Sequence, residues 1–329
     1  MKKNNLNLLL GLLLGFIFLF IWIQMINWQE FLGFFQQFDL SAVLLFSLFY
    51  GLAYFLRSLR WRLILQPIVK LPAHRSFFIF MTGLMINYLI PIRAGELTKS
   101  FILKVRRDIP VSKSLPTVFI DKLSDLFPIL MIMLLIPLIS IRLNHTLYII
   151  IILLFAIFLL LFIFLLFAVH HQDTALKFLN SILRIFSRKL RTKISHFFQN
   201  FVQGLSVMQG RFHDILVVGI LTLGAVLCEA IYIYAVFQAF GAEVSYYKIL
   251  FGYTLMNLTY ILPTPPAQVG SNQFMWVLIF SFALGVDKNL TAAAVTFSHL
   301  LTSIWIFLIG AISLFNLKIK FSDLLPKFK

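Results

Sequence analysis

Asn87-Tyr88-Leu89-Ile90-Pro91-Ile92-Arg93-Ala94-Gly95-Glu96 decides the fold. An apolar run of 13 residues, Phe77 to Leu89, leads into it, and a mixed run, Leu97 to Arg107, leads out. Thirteen residues are too few to cross a hydrocarbon core that needs about 20. Pro91 has no amide to donate and disfavours helix at Ile90. Gly95 permits a tight turn. The chain is therefore expected to enter the membrane, break and turn back. Irregular backbone is tolerated at that depth only where protein buries it or where it lines a wet cavity. An arginine and a glutamate at the break predict a cavity that holds a charged group. The plainer alternative is a cytoplasmic loop with an ordinary Arg93–Glu96 pair between two helices.

The surrounding composition supports a membrane setting. Of 329 residues, 60% are hydrophobic and 38 are Phe, with mean hydropathy +0.94. A soluble domain cannot cover that much apolar surface, so the class is an all-α polytopic membrane protein. The net charge of +16 would suggest nucleic acid in a soluble chain. Here the basic residues sit between apolar runs, where topology and anionic lipid explain them and nucleic acid does not. Cys228 is the only cysteine, so no intrachain disulfide forms. Lys2 and Lys3 resemble a signal-peptide start, but the apolar run from Leu6 to Ile26 has 21 residues and no cleavage site follows. It reads as an uncleaved first span.

In order, the expected spans are Leu6–Ile26, Leu40–Leu56, Leu115–Ile141, Thr146–Val169, Ile215–Phe240 and Leu290–Phe315. Two broken segments, Ser76–Arg107 and Tyr246–Leu284, lie between them as re-entrant hairpins. The second breaks at Leu262-Pro263-Thr264-Pro265-Pro266-Ala267-Gln268-Val269-Gly270-Ser271-Asn272. The long polar stretch His170–His213 has seven Lys or Arg against one acid, Asp173, with Phe178, Ile182, Ile185, Phe186, Ile194, Phe197 and Phe198 at helical spacing. It reads as amphipathic helix on an anionic membrane face or as a basic linker.

With the N-terminus inside and both hairpins returning to their side of entry, the inside holds 24 Lys or Arg and the outside three. That asymmetry predicts that both termini are cytoplasmic, and the membrane expected is the plasma (inner) membrane. The count also outlines two half-repeats of opposite orientation, about 40–141 and 214–315. Span 146–169 and the basic loop 170–213 link them, all within one transmembrane domain. Each hairpin breaks after an asparagine, Asn87 before Pro91 and Asn257 before Pro263. Matching breaks in inverted halves point to a transport site near the midplane.

Four stretches carry a resemblance: NYLIPIRAGE at 87–96, Ser112 to Asp125 with its DKLSD, LPTPPAQVGSNQF at 262–274, and Ala292–Trp305. Together they resemble the flippase-like family, also called the lysylphosphatidylglycerol synthetase transmembrane region or uncharacterised protein family 0104. The resemblance covers nearly the whole chain. It implies an integral membrane protein that handles lipids, as relatives translocate aminoacylated phosphatidylglycerol or are associated with polyprenyl-phosphate sugar pathways. The chain ends at Lys329, soon after its last span, so the membrane part is expected without the synthases' aminoacyl-transferase domain. It departs from the family pattern at Gln273, where a glutamate is expected, at Lys122, where an arginine is common, and at His299, where an arginine is common.

The candidate substrate-binding residues are Asn87, Pro91, Arg93, Gly95, Glu96, Asp121, Lys122 and Asp125 in the first half. Asn257, Pro263, Pro266, Gly270 and Gln273 are those in the second. Arg93 offers a planar fork to a phosphate. A helix starting near Gly95 would turn its amides toward an anion. Glu96, Asp121 and Asp125 would hold a headgroup amine or orient Arg93; Asp121 and Asp125, four apart, share a helix face. The structural alternative is an Arg93–Glu96–Asp125 network tying the hairpin to the next span. Glu229, an acid in mid-span, is a proton-coupling candidate or a protonated or paired structural acid. His299 is a weaker candidate for the same role.

His170-His171 lacks the companions of a metal site, so no metal is expected, and no cofactor motif occurs. The function expected is translocation of an anionic or aminoacylated phospholipid or a polyprenyl-phosphate-linked lipid. The alternatives are a membrane enzyme or an accessory subunit of a lipid-modifying glycosyl or aminoacyl transferase. Partners would be membrane lipids and such a transferase.

Overall fold

The structure is a computed structural model and describes residues 3–90, 95–126, 131–132, 145–206, 212–259 and 265–319. The described residues are helical, without strands. In chain order the helices are α1 (Lys3–Met25), α2 (Trp28–Gly33), α3 (Leu40–Leu65), α4 (Ala73–Leu89), α5 (Gly95–Arg107), α6 (Val111–Ser124) and α7 (His145–His170). They continue with α8 (Gln172–Ile182), α9 (Arg188–Ser206), α10 (Phe212–Ala239), α11 (Tyr246–Thr259), α12 (Ser271–Val277) and α13 (Lys288–Leu317). A π-helical turn, Leu278–Ala283, extends α12.

Three described helices are long and apolar enough to cross a membrane: Leu40–Leu65, His213–Ala239 and Lys288–Leu317. Gly15–Met25 and Trp28–Gln36 meet the same test as a pair bent by 87°. Local chemistry sets the ends. Asp39 starts α3 by accepting from the Ala42 amide at 3.1 Å and the Ser41 hydroxyl at 2.7 Å, which hold its carboxyl below the usual range. Asp287 starts α13 by accepting from the Leu290 amide at 2.7 Å. Lys318, in the left-handed region at φ 50°, ends α13. Outward faces are apolar, with Phe16, Leu45, Leu160, Ile220, Leu300 and Phe315 exposed. Lipid is the solvent that accepts such a surface.

α3 lies along α10, and α13 along α4. Small residues let the backbones approach, as they do in membranes, where tight packing replaces hydrophobic drive. Ala292, Ala293 and Ala294 on α13 are fully buried. A Cβ at Gly310 would meet the Met85 side chain at 2.7 Å. On the other side, Phe280 stacks on Trp276 and Phe237, with ring centroids 4.9 and 5.2 Å apart. Gly252 makes room for that ring, since a Cβ there would stand 2.5 Å from Phe280 Cζ.

Two glycines shape the breaks. A Cβ at Gly95 would strike the Gly83 carbonyl and lie 2.5 Å from the Asn87 amide nitrogen. Gly95 has no positive φ, and the close contact between α4 and α5 is what demands glycine there. Gly270 combines both demands. Its φ is +78°, and a Cβ would meet the Leu19 amide of α1 at 2.6 Å.

The stretch 170–213 is helical where described. α8 and α9 pack on the end of α7 through Ala168, Ala175 and Val202, with Phe164 stacked on Phe198. Lys177, Arg184 and Arg188 face outward.

A charge-balanced ring in the cavity wall

Two residues near the end of α3, Arg57 and Arg60, point into the protein and not toward a loop. Arg60 is 1% exposed and Arg57 7%. They face α6, where Asp121 and Asp125 stand one helical turn apart as the spacing predicts. Arg60 Nε donates to Asp121 Oδ1 at 2.8 Å and its Nη1 to Asp125 Oδ1 at 2.8 Å. Nη1 also donates to Thr222 Oγ1 on α10 at 3.2 Å.

α5 completes the circuit. Lys99 Nζ lies 3.0 Å from Asp121 Oδ2 and 2.8 Å from Glu96 Oε2. Lys122 Nζ lies 2.9 Å from Glu96 Oε1 and 3.5 Å from Asp125 Oδ2. Asp125, Arg60, Asp121, Lys99, Glu96 and Lys122 thus form a closed ring in which every charge has opposite charges on both sides. A tail leaves it at Asp125. Arg57 Nε approaches Asp125 Oδ1 at 3.7 Å, and its Nη1 pairs with Glu229 Oε2 of α10 at 2.5 Å. Tyr253 of α11 donates its hydroxyl to the same oxygen of Glu229.

Four cations meet four carboxylates, so the cluster is neutral as a whole. Desolvating a single ion costs several kcal/mol, and only good geometry with full hydrogen bonding repays it. Aromatic faces help. Lys99 Nζ sits 4.0 Å from the centroid of Phe80 and 5.6 Å from that of Trp61, and Arg57 lies 5.2 Å over Tyr54. Lys122 is the exception to burial, with 43% of its side chain exposed.

The ring borders a cavity of about 750 Å³. Arg57, Glu96, Lys99, Lys122, Asp125 and Glu229 line it on one side. Asn257, Gln268, Asn272, Ser298, His299 and Thr302 line it from α11, the 265–270 turn, α12 and α13. Both parts of the chain therefore meet in one space.

Among the residues expected from sequence, Glu96, Asp121, Lys122 and Asp125 come together in the ring. Asn87 joins them by donating Nδ2 to Glu96 Oε1 at 3.2 Å. Asn257 lines the cavity and donates Nδ2 to the Tyr253 carbonyl. Gln273 accepts from the Gly270 amide at 3.0 Å and contacts His299 Nδ1 at 3.0 Å. Pro266 opens a short 3-10 turn. Pro91, Arg93 and Pro263 lie outside the described residues.

Glu229 does not stand alone in mid-span: Arg57 and Tyr253 hold it. Glu96 is satisfied by Lys99 and Lys122, so the network that ties the hairpin to α6 runs through those two lysines among the described residues. Arg57, Arg60 and Lys99 belong to the 24 charges that the topology places inside, and in the structure they are buried cations. Their signal was present. Arg57 and Arg60 lie three apart at the end of an apolar run, and Lys99 lies three after Glu96.

Among the described residues, no group of three or more His, Cys, Asp or Glu is placed to hold a metal ion. No curated protein matches the chain. Residues 8–310 match the family described as Lysylphosphatidylglycerol synthase TM region. That span covers all four sequence stretches and every helix that lines the cavity. The chain is a multi-pass membrane protein and belongs to the lysylphosphatidylglycerol synthase TM region family.

Proposed function

We propose that the protein translocates a lipid with a phosphate-bearing headgroup, phospholipid or polyprenyl-phosphate-linked, by giving that headgroup a halfway site in the cavity. The observation that carries this reading is the closed ionic ring on the wall of a cavity of about 750 Å³ that both halves of the chain line. A bare charge at the bilayer centre costs from about 2.5 to over 10 kcal/mol, depending on how far water and protein follow it. The ring lowers that cost without presenting a net charge of its own. Lys122, the most exposed cation, exchanges Glu96 and Asp125 for the arriving phosphate. An amine on an aminoacylated headgroup takes the carboxylates that Lys122 leaves. Each ring carboxylate already faces two cations, which suits charge storage better than the proton transfer an enzyme would need.

In this reading α4–α5 and α11–α12 are re-entrant hairpins from opposite faces, set in inverted halves of about 40–141 and 214–315 among six full spans. Both termini are cytoplasmic and the membrane is the plasma (inner) membrane. Removing Arg57, Arg60 and Lys99 from the 24 inside charges leaves 21 against three, so the orientation argument keeps its sign.

The test is reduction by dithionite of headgroup-proximal fluorescent phosphatidylglycerol in vesicles that hold the purified chain. Wild type is expected to expose the inner leaflet, and Lys122→Ala to slow exposure about tenfold, the worth of one charge-assisted hydrogen bond. Wild-type vesicles that bleach no faster than protein-free ones would contradict the proposal.

A further inference from the structure

α8 and α9 lie apart from the cavity and fold as a helical pair on the end of α7. They run antiparallel. Asn180 Oδ1 accepts from Ser195 Oγ at 2.6 Å, and Gln172 Nε2 donates to the Gln199 carbonyl at 3.4 Å. Ala175 and Val202 are buried against Ala168 of α7, so the pair has its own small core. Large apolar side chains are nevertheless left outside it: Phe178, Ile182, Phe186 and Leu190 are each 42% to 56% exposed. Phe178 and Ile182, four apart, share one face of α8. Phe178 also meets Phe164 of α7, with ring centroids 5.8 Å apart, beside Ile163 and Phe167 on the outward face of α7. The lipid-facing surface of α7 therefore continues onto α8.

Cations accompany this apolar face. Lys177, Arg184 and Arg188 are exposed, and the stretch 170–213 has seven Lys or Arg against one acid, Asp173. A scattered exposed leucine is ordinary, but an apolar face that continues from one helix to the next marks an interaction surface. An apolar face with basic neighbours matches an anionic bilayer: the apolar side chains enter the headgroup boundary and the cations meet lipid phosphates. The bilayer is also close at hand, since one residue, His171, separates α8 from α7. We propose that α8 docks on the anionic phospholipid surface beside α7, inserting Phe178 and Ile182 and setting Lys177, Arg184 and Arg188 on lipid phosphates. In the proposed orientation this surface is the cytoplasmic leaflet. Docking involves no headgroup crossing the bilayer, so it stands apart from the translocase reading. α9 also packs on α6, the helix that carries Asp121, Lys122 and most of the ring's first-half acids, so the docked pair braces that helix against the leaflet.

The test is thiol labelling of the full-length chain in lipid nanodiscs, which leave both faces open to water. In a Cys228→Ser background, Ile182→Cys is treated with an uncharged polyethylene-glycol maleimide, and Asp173→Cys is the reference. Asp173 is exposed and lies about two and a half turns before Ile182, hence on the opposite side of α8. The rate at position 182 relative to 173 should fall about tenfold or more when about a third of the phosphatidylcholine is replaced by phosphatidylglycerol, as three cations near an anionic surface predict. Lys177→Gln, Arg184→Gln and Arg188→Gln together should restore the phosphatidylcholine value, and so should about 0.5 M salt. A relative rate that is the same in both discs overturns the proposal. Slow labelling in both would mean burial without help from charge, and fast labelling in both would leave the face to water or to a protein partner. A phosphatidylglycerol effect that survives the triple substitution overturns it as well. Hydrogen exchange of residues 172–186 in the unsubstituted chain decides if a variant does not fold: it should slow in phosphatidylglycerol discs, and equal exchange in both discs overturns the proposal. A chain that docks but fails the dithionite assay sinks the translocase reading alone.

Discussion

Asp121→Asn is expected to be the most destabilising single substitution in the ring, by about 3–5 kcal/mol, the cost of breaking a buried ion pair from one side. Asp121 is fully buried and is the one carboxylate shared by Arg60 and Lys99. The asparagine has nearly the same shape, so packing survives and the loss is electrostatic. One oxygen that accepted from a cation becomes an NH₂ that faces it. Two cations, each 1% exposed, are then left with too little negative charge and no route to water. Thermal unfolding in micelles reads the effect. Asp173→Asn, on the exposed start of α8, is the control and should lie within about 0.5 kcal/mol of wild type.

The second large effect is a coupling. Arg57→Met and Glu229→Leu should each cost about 3–5 kcal/mol, because each leaves its partner buried without its closest counter-charge. The double variant should cost much less than the sum, because two apolar side chains of similar volume remove both charges together. A coupling of more than about 1.5 kcal/mol in a double-mutant cycle would show that α3 and α10 are tied by this pair. Additive losses would mean that each residue acts through other partners. The same double variant separates structure from function: it should fold but move lipid slowly, since Arg57 and Glu229 both line the cavity.

Much of this could be read from the residues in order, and the failures have a common cause. Helix positions follow from apolar run length and from Pro and Gly breaks, so α1, α7, α10 and α13 fall within a few residues of the expected spans, whereas α3 runs on to Leu65, well past the expected end at Leu56. Glu96, Asp121, Lys122 and Asp125 are legible because charged residues within or beside apolar runs are costly and so conspicuous. Arg57 and Arg60 were hidden by a rule that is right on average. A basic residue after an apolar run usually marks the cytoplasmic edge, and only the position of α6 shows that these two turn inward. Lys99 was hidden in the same way, one turn beyond Glu96. Glu229 looked alone because its partner is on another helix, far away in the chain. Gly95 has a second role that the sequence does not announce. The sequence suggests a turn, whereas a second glycine, Gly83, makes the position a crossing of two backbones.

On the proposed function, the neutrality of the ring would let a headgroup site persist inside a membrane between substrates. A cluster with net charge would be driven to shed or gain protons, whereas an alternating ring satisfies itself until a ligand exchanges partners with it. Neutrality at rest and exchange on binding are the two halves of the account.

A halfway site for translocation must be reachable from both faces of the membrane. Cys228 is the only cysteine in the chain, so a Cys228→Ser background carries a single probe cleanly. Ser298 lines the cavity and is nearly isosteric with cysteine. In that background, Ser298→Cys should react with a membrane-impermeant maleimide added from either side of oriented vesicles. Labelling from one side only, or from neither, would contradict it.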